Sequence, residues 1–325
     1  MSDDQWTSER MPDLSGDTVV VTGANSGLGF AATREFARKG AHVVMACRSA
    51  DRGEDAGAEI EAAVPAASLS VVECDLGDRS SIRAFAEKFR DRHDGLDILC
   101  NNAGVMAIPY RETADGIERQ FGVNHLGHFA LTGYLLHSLR QSEGQSRVVT
   151  QSSGLHERGE LDVERVRRRA RRDGAPDDYD RWGAYARSKL ANVLFAYELD
   201  RRLDATGADV VSAACHPGYA ATNLQTRGAE MSGSTAKLWL QRAANRLFAQ
   251  SADDGALPML YAATAEDVQG GEYVGPGGFM NMRGAPERQR SSERSYDREL
   301  AAELWAASEE LTGVTYDLER PASTP

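Results

Sequence analysis

Residues 18–29 read TVVVTGANSGLG, and this stretch decides the fold. An apolar, strand-like run leads directly into three glycines, and a helical segment follows. Gly23 permits a tight turn, Gly27 lets the backbone approach a phosphate, and Gly29 permits close helix packing. The helix N-terminus would then offer N–H groups and partial positive charge to a pyrophosphate. The stretch therefore predicts a dinucleotide-binding turn made of Gly23, Asn25, Ser26, Gly27, Leu28 and Gly29.

Strand-like runs alternate with helical segments along the rest of the chain, an order typical of the α/β class. The predicted strands, about seven in number, are residues 18–22, 42–47, 69–74, 97–101, 147–152, 209–215 and 272–275. The predicted helices are residues 27–39, 51–63, 79–92, 116–140 and 183–203. This alternation predicts a single doubly wound parallel sheet with helices on both faces, the Rossmann fold.

The predicted catalytic domain covers residues 14–283, with an N-terminal arm at 1–13 and a helical tail at 284–325. Two segments are longer than a minimal domain of this kind needs, an insertion at 154–182 and a loop at 220–250. Ligands of open α/β sheets bind beyond the carboxyl ends of the strands. Because both segments leave that edge, we expect them to form the walls of a substrate pocket.

The 325 residues include 37 Lys and Arg against 49 Asp and Glu, a net charge of −12. This acidic balance argues against nonspecific binding to nucleic acid or to anionic lipid. No stretch approaches the roughly 20 apolar residues that span a bilayer, and the start, MSDDQW, lacks the features of a secretory signal. We therefore expect a cytoplasmic protein without an integral membrane segment.

Residues that often bind metals form no metal motif in this sequence. The four cysteines end strand-like runs, include no CxxC pair and fit no zinc spacing, so we interpret them as buried thiols. His125, His128 and His156 lack the HxH or HExxH spacing of metal sites, and no metal site is predicted. The arginine-rich run at 165–172 is interpreted as a solvated helix that pairs with the protein's own acidic residues.

A tyrosine and a lysine four positions apart form the predicted catalytic pair. Tyr185 and Lys189 lie in AYARSKLANVLFAYEL, whose apolar spacing predicts a helix, so both side chains share one face. Tyrosine has a reference pKa of about 10, and a cation within about 4–6 Å lowers that pKa. Such tuning suits proton transfer to an alcohol or a carbonyl. The chain has only four lysines, which argues against a chance lysine at this offset.

These motifs stand in the order typical of the short-chain dehydrogenase/reductase family, which the chain resembles over roughly residues 14–280. The glycine pattern TGxxxGxG, Asp75-Leu76 after the third strand and NNAG after the fourth all match the family. The resemblance implies an enzyme that interconverts an alcohol and a carbonyl, a small-molecule substrate, with a nicotinamide cofactor. It implies contacts with that cofactor, Asp75 near the adenine ring, for Asp75, Leu76, Asn102, Ala103 and Gly104.

The resemblance also implies roles in catalysis. Tyr185 would be the general acid or base, and Lys189 would hold the nicotinamide ribose and lower the tyrosine pKa. Ser153, which follows the fifth strand, would hydrogen-bond the substrate oxygen. Its neighbour Ser152 is the rival for that role.

Two further matches extend the site. Asn124, in FGVNHLGHF, corresponds to the family's helix asparagine, which holds a water in a proton relay to the lysine. Pro217 and Gly218, followed by Thr222, correspond to the loop that holds the nicotinamide carboxamide. The resemblance therefore implies that both sequence regions border the nicotinamide.

The choice of cofactor depends on the end of the second strand. An enzyme that uses NAD places Asp or Glu there to bind the ribose 2′-hydroxyl, and that carboxylate would repel a 2′-phosphate. Here Cys47 stands in that place, with Arg48 next to it and Arg52 nearby. The sequence therefore favours NADP(H) over NAD(H), with Arg48 as the phosphate ligand.

Within the family, the chain resembles the branch of retinol dehydrogenases and WW-domain oxidoreductases. The gap of 32 positions from Ser153 to Tyr185 is longer than usual in the family. CRS at 47–49, SSGLH at 152–156 and SKLANVLF at 188–195 also match this branch. Its members act on lipophilic alcohols and carbonyls, so the resemblance implies a substrate of that kind without naming it.

Two other functions fit the sequence less well. A non-catalytic NADP-binding sensor or scaffold on the same fold would not need Asn124, Ser153, Tyr185 and Lys189 together, yet all are present. A nucleotide-sugar epimerase usually carries TGxxGxxG and a larger C-terminal domain, and neither is found. The helices at 116–140 and 183–203 carry wide apolar faces. The resemblance implies that these helices pair across a two-fold axis, so we predict a homodimer or homotetramer.

Overall fold

A computed structural model describes residues 5–170, 178–218 and 251–318. Within these ranges the chain forms one sheet of eight strands in the order β3-β2-β1-β4-β5-β6-β7-β8. The strands are β1 (Thr18–Thr22), β2 (His42–Cys47), β3 (Ser68–Glu73), β4 (Ile98–Asn101), β5 (Ser146–Gln151), β6 (Val210–Cys215), β7 (Tyr273–Pro276) and β8 (Pro286–Gln289). β1 to β7 pair in parallel, which confirms the predicted doubly wound sheet.

Helices connect the strands, and one of them is irregular. The described helices are α1 (Gly27–Arg38), α2 (Ala50–Ala63), α3 (Arg79–Arg90), α4 (Arg119–Phe121), α5 (Gly127–Leu139), α6 (Val163–Arg169), α7 (Arg181–Thr206), α8 (Ala252–Thr264) and α9 (Arg298–Thr312). A π-helical turn, Gly122–Leu126, joins α4 to α5, so the predicted helix at 116–140 contains a bulge. Such bulges are frequent at functional sites, and Asn124 lies in the middle of this one.

The sheet is buried on both faces because its central strands are apolar along their whole length. In β1, Val19 and Val21 face one apolar core, and Val20 between them faces the other. Helices α1, α2 and α8 complete the first core, whereas α3, α5 and α7 complete the second. This double covering leaves the ends of the strands as the open edge.

The sequence does not predict the eighth strand. β8 pairs antiparallel with β7 at the edge of the sheet, with Gln289 opposite Tyr273. Its sequence, PERQ, is mostly exposed and shows no apolar alternation, as is common for an edge strand that carries charges and proline. The sequence places these residues in a helical tail, and the structure adds them to the sheet.

The C-terminal helix α9 covers one side of α7. Leu304 packs in a cluster with Leu190 and Leu194 of α7, and Trp305 stacks on Phe195 with ring centroids 6.0 Å apart. These contacts bury part of the apolar helix surface from which the sequence predicts a homodimer or homotetramer. A second copy can therefore use that surface only where α9 leaves it open.

The arginine-rich helix α6 pairs with acidic side chains. Arg165 lies 3.5 Å from Asp178, and Arg167 lies 3.1 Å from Glu310. These ion pairs agree with the interpretation of a solvated helix, although Arg171 and Arg172 lie outside the described residues. In the same described ranges, no helix is both long enough and apolar enough to cross a membrane.

Candidate active site

A cavity of about 730 Å³ opens at the carboxyl ends of the parallel strands, the edge where ligands of such sheets bind. Gly29 and Asn124 lie directly behind its lining, against Gly23 and Gly104. Thr222 and the predicted loop at 220–250 lie outside the described residues. The other predicted site residues all line the cavity: Gly23, Asn25, Ser26, Gly27, Leu28, Arg48, Asp75, Leu76, Asn102, Ala103, Gly104, Ser153, Tyr185, Lys189, Pro217 and Gly218.

The geometry of the glycine turn fits a dinucleotide pyrophosphate. Gly23 and Gly27 have φ angles of +67° and +57°, which glycine adopts without strain. A Cβ on Gly29 would lie 2.4 Å from the Gly23 carbonyl oxygen, so a side chain there would push α1 away from the turn. The Ser26 side chain does not cap α1, and the first turn of α1 has no acidic residue. An uncapped helix N-terminus that borders a cavity attracts an anion such as a phosphate.

One threonine holds this turn against the end of β4. The Thr22 hydroxyl accepts hydrogen bonds from the backbone amides of Asn102 and Ala103, each over 2.9 Å. The Asn102 side chain donates to the Thr22 carbonyl over 2.7 Å. The sequence gives Thr22 no separate role, yet this buried residue brings two cofactor motifs together.

The end of β2 offers cations to the cavity and no carboxylate. Cys47 is the last residue of the strand, and burial raises the pKa of its thiol to about 11. Arg48 and Arg52 are exposed and both line the cavity. A guanidinium group binds phosphate through paired, charge-assisted hydrogen bonds. The preference for NADP(H) over NAD(H), with Arg48 as the phosphate ligand, stays a prediction.

The predicted catalytic pair lies on the cavity wall, one helical turn apart on α7. Tyr185 and Lys189 are 5% and 3% exposed, and the lysine Nζ lies 5.8 Å from the centre of the tyrosine ring. Lys189 Nζ donates to the Gln151 carbonyl over 3.0 Å. A Cβ on Gly104 would lie 3.7 Å from Nζ, so the glycine keeps space open beside the ammonium group.

Burial sets the acid–base character of this pair. It raises the pKa of Tyr185 to about 12, and a hydrogen bond with Ser153 offsets part of that rise. Burial lowers the pKa of Lys189 to about 8, because the ammonium group loses hydration. The expectation that the lysine lowers the tyrosine pKa below its ordinary value is therefore wrong for this structure. Desolvation of the phenolate dominates, and Lys189 donates to Gln151 rather than to the phenol.

The structure separates the two candidate serines. The buried Ser152 hydroxyl donates to the Lys189 carbonyl over 2.8 Å, so it holds α7 against the end of β5. Ser153 is half-buried, lines the cavity and shares a hydrogen bond with Tyr185. Of the two serines, Ser153 has the hydroxyl that a substrate oxygen could meet together with the phenol.

Asn124 links the loop after β4 to α7. Its side-chain oxygen accepts from the Val105 amide over 2.8 Å, and its side-chain amide donates to the Val105 carbonyl over 2.9 Å. That amide also donates to the Ser188 hydroxyl over 2.9 Å, and Ser188 donates to the Tyr185 carbonyl over 2.8 Å. Because its side chain is engaged by protein partners, the water relay at Asn124 stays a prediction.

Part of the cavity wall is not predicted by the sequence. Trp182 and Met280 are large apolar residues that remain 46% and 73% exposed. Met280 and Asn281 have φ angles of +52° and +55°, a strained conformation outside glycine. No motif links these residues, because only the fold brings their segments together. The lining residues without a predicted role include Met106, Gln151, His156, Trp182, His216, Tyr273, Met280 and Gln289.

The histidines near the site have protein partners. His128 lies 2.9 Å from the Thr22 hydroxyl and 3.0 Å from the Asn124 carbonyl. His125 lies 2.9 Å from the Ser308 hydroxyl. Among the residues that the structure describes, no group of three or more His, Cys, Asp or Glu is arranged to hold a metal ion.

Comparison with known proteins identifies the family. The profile of the short chain dehydrogenase family matches residues 17–161. Retinol dehydrogenase 12 of Mus musculus is 40% identical over 309 residues, which cover 94% of this chain and 89% of that protein. The chain belongs to the short-chain dehydrogenase family. It is therefore an oxidoreductase that acts on CH–OH groups with a nicotinamide cofactor, within the retinol dehydrogenase branch.

Solved structures are similar to this short-chain dehydrogenase as well. An uncharacterised protein from Mycobacterium paratuberculosis has a TM-score of 0.76 at 42% identity, covering 98% of this chain and 99% of that one. A protein from Beutenbergia cavernae, named provisionally as an NAD(P)-dependent gluconate 5-dehydrogenase and holding NADP at low occupancy, has a TM-score of 0.56 at 27% identity. That match covers 78% of this chain and 91% of the other. The predicted fold class and the predicted branch are confirmed.

Proposed function

We propose that this short-chain dehydrogenase interconverts an alcohol and a carbonyl on a lipophilic substrate, with NADP(H) as cofactor and Tyr185 as general acid or base. The observation that carries the proposal is the meeting of Ser153, Tyr185 and Lys189 on the wall of one cavity. The same cavity is bordered by the glycine-rich turn, so reaction and cofactor binding share one space.

Bound NADP(H) supplies or accepts a hydride, and the protein's own residues handle the substrate oxygen and its proton. In reduction the hydroxyls of Ser153 and Tyr185 each donate a hydrogen bond to the carbonyl oxygen, which orients the reacting carbon. In reduction the Tyr185 hydroxyl then gives up its proton, and in oxidation the phenolate takes the proton of the alcohol. Because the pKa of Tyr185 is raised to about 12, the phenol is protonated at neutral pH and suited to act as the acid.

Lys189 is the residue that would hold the nicotinamide ribose. Its ammonium group has three donors, of which the Gln151 carbonyl takes one. Gly104 leaves room beside Nζ for the ribose hydroxyls. Pro217 and Gly218, which line the cavity after β6, would hold the carboxamide.

NADP(H) is preferred over NAD(H) because of the end of β2. Cys47 stands where a carboxylate would repel the 2′-phosphate, and Arg48 and Arg52 border the cavity beside it. The related protein from Beutenbergia cavernae, which holds NADP, supports the same choice.

A lipophilic substrate suits the apolar side chains in the cavity wall. Val105, Met106, Leu155, Trp182 and Met280 all line it. The name of retinol dehydrogenase 12, a relative at 40% identity, refers to a lipophilic alcohol. Burial of apolar substrate surface against such side chains stabilises the complex by roughly 25 cal/mol per Å².

Oxidation of NADPH and NADH, followed against retinal, long-chain aldehydes, ketones and quinones, tests the proposed function. We expect turnover of at least one lipophilic carbonyl and a higher kcat/KM with NADPH. Binding of NADPH without turnover of any compound would favour a non-catalytic NADP-binding protein. Equal kcat/KM for both cofactors would contradict the preference for NADP(H). The cytoplasmic location and the homodimer or homotetramer stay predictions.

A further inference from the structure

We propose that His156 is a positioning residue that fixes the backbone of Ser153 and ties it to the segment between β8 and α9. His156 lines the cavity and is 1% exposed. It lies in the 3-10 helix Gly154–Arg158, for which Ser153 is the N-terminal cap. This role rests on the proposed function, because it concerns the serine that bonds the substrate oxygen.

The partners of its two ring nitrogens define one tautomer of His156. Nδ1 lies 2.8 Å from the Ser153 carbonyl oxygen, which can only accept, so Nδ1 carries the proton. Nε2 lies 3.0 Å from the backbone amide of Ser292, which can only donate, so Nε2 carries the lone pair. Both bonds require the same neutral ring, and burial lowers the pKa of His156 in the direction that keeps it neutral.

The bond to Ser153 acts on the reacting hydroxyl through the backbone. The Ser153 carbonyl also accepts from the backbone amide of His156 over 2.9 Å, so a single residue holds it twice. A fixed Ser153 backbone restricts Oγ, which must meet both Tyr185 and the substrate oxygen. An error of about 1 Å in such an arrangement can reduce the rate by about 10²-fold.

Late parts of the chain contact the His156 ring at both nitrogens, Tyr273 at Nδ1 and Ser292 at Nε2. The Tyr273 hydroxyl lies 3.2 Å from Nδ1, and the two rings have centroids 5.0 Å apart. The segment that contains Ser292 is attached a second time, because Arg294 donates to the Gly159 carbonyl over 2.9 Å. Loss of the Ser292 bond alone therefore leaves the segment tied to the insertion.

Two substitutions separate the two bonds of the ring. In His156→Asn the side-chain amide can take the place of Nδ1 and donate to Ser153, while the bond to Ser292 is lost. In His156→Gln the longer side chain can place an oxygen at the position of Nε2 to accept from Ser292, while the bond to Ser153 is lost. Both variants carry a side-chain amide, so comparing them tests the bond to Ser153 separately from the bond to Ser292.

We expect kcat of His156→Gln to fall about tenfold, the equivalent of one hydrogen bond, with an unchanged Kd for NADPH. His156→Asn should keep kcat within about threefold of the wild type while its Tm falls, because it loses only a structural bond. Arg294→Ala is the matched control: it removes the other bond of the same segment, from the Arg294 guanidinium to the Gly159 carbonyl, and leaves both ring nitrogens with their partners. It should behave like His156→Asn.

A kcat that falls equally in the Asn and Gln variants, or that follows Tm across all three, would show a purely structural role and overturn the proposal. If one His156 variant does not fold, an Arg294→Ala variant whose kcat falls together with its Tm overturns the proposal in the same way. A wild-type protein that binds NADPH and turns over no carbonyl overturns the proposed function itself. The two failures can be told apart, because the wild-type protein stays active if only the role proposed for His156 is wrong.

Discussion

The cavity has a cofactor half, made of the glycine turn and the ends of β2 to β4, and a substrate half, made of Ser153, Tyr185 and the segments around them. Seven consecutive residues, 23–29, form the glycine turn, and backbone geometry fixes them. The substrate half instead combines the insertion, α7, the β7–β8 connection and the segment before α9. The backbone geometry of the turn is determined by neighbouring residues in the sequence. The substrate wall, in contrast, is formed by side chains from four segments that come together only on folding.

This contrast also separates binding from selection. In the cofactor half, backbone amides and glycines tolerate few substitutions, because a single Cβ on Gly29 would collide with the Gly23 carbonyl. In the substrate half, exposed side chains such as Trp182 and Met280 can change without disturbing the sheet. We expect the first half to set which cofactor binds and the second to set which substrate reacts.

The largest expected effect comes from removing one hydroxyl from the substrate half. Tyr185→Phe should lower kcat by about 10²–10⁴-fold, because general acid–base catalysis is lost, while Kd for NADPH stays within about twofold. Steady-state kinetics and NADPH fluorescence provide both quantities. Tyr197→Phe is the control on the same helix, since that hydroxyl bonds Ser291 and does not line the cavity. A Tyr185→Phe enzyme that keeps more than about a tenth of wild-type kcat would contradict the assignment.

The cofactor half can be altered on its own. The double change Cys47→Asp with Arg48→Val should reverse the preference for NADPH by about ten- to a hundredfold in kcat/KM, because it removes a charge-assisted hydrogen bond and adds a repelling carboxylate. The ratio of kcat/KM for NADPH and NADH is the readout, with the carbonyl substrate held constant. Relative activities among different carbonyls should not change. If substrate preference shifts as well, the two halves are not independent.

A pH profile distinguishes the two directions of the reaction. Reduction needs the Tyr185 proton, with a pKa of about 12, and the charged Lys189, with a pKa of about 8. The rate of reduction should therefore be constant below pH 8 and fall above it by up to about tenfold per pH unit as Lys189 loses its charge. Oxidation needs the phenolate, so its rate should rise from neutral toward alkaline pH.

Lys189→Arg is the matched variant for this profile, because its guanidinium stays charged at alkaline pH. The fall in the rate of reduction above pH 8 should then disappear, whatever the variant's absolute rate. A wild-type rate of reduction that stays flat to pH 10 would rule out Lys189 as the titrating group.

The smallest expected effect concerns the rim of the substrate half. Trp182→Ala should lower kcat/KM for a long-chain aldehyde by about fivefold, equivalent to ~1 kcal/mol of lost apolar contact, and leave a short-chain aldehyde unchanged. Measuring kcat/KM for a series of aldehydes shows how the loss depends on chain length. Trp6→Ala is the control, since Trp6 packs on Tyr261 away from the cavity. Equal losses for short and long aldehydes would show that Trp182 supports the fold rather than the substrate.

The sheet could be predicted from the sequence because its strands are apolar runs with clear ends. Each of β1 to β7 ends within one residue of its prediction. β8 could not be predicted, because three of its four residues are polar, the fourth is proline, and the strand forms only by pairing with β7. The bulge at Asn124 could not be predicted either, because the sequence is helical on both sides of it and nothing in the periodicity marks the π-helical turn.

Sequence motifs predicted which residues form the candidate site. They did not predict the properties that depend on burial, such as pKa values and contacts between distant segments. The positions of Tyr185 and Lys189 follow from a spacing of four, but the sign of the tyrosine pKa shift depends on how completely the phenol is buried. The sequence indicates only that His156 binds no metal, whereas its link to Ser153 depends on a partner 136 residues away, Ser292.

The packing of α9 on α7 has a consequence for biosynthesis. Leu304 lies 114 residues after Leu190, against which it packs. At about 5–20 residues per second, a ribosome needs on the order of ten seconds to add that stretch. During this interval the helix that carries Tyr185 and Lys189 has emerged with an uncovered apolar side. Until α9 arrives, a nascent chain in this state exposes apolar surface that is prone to aggregation.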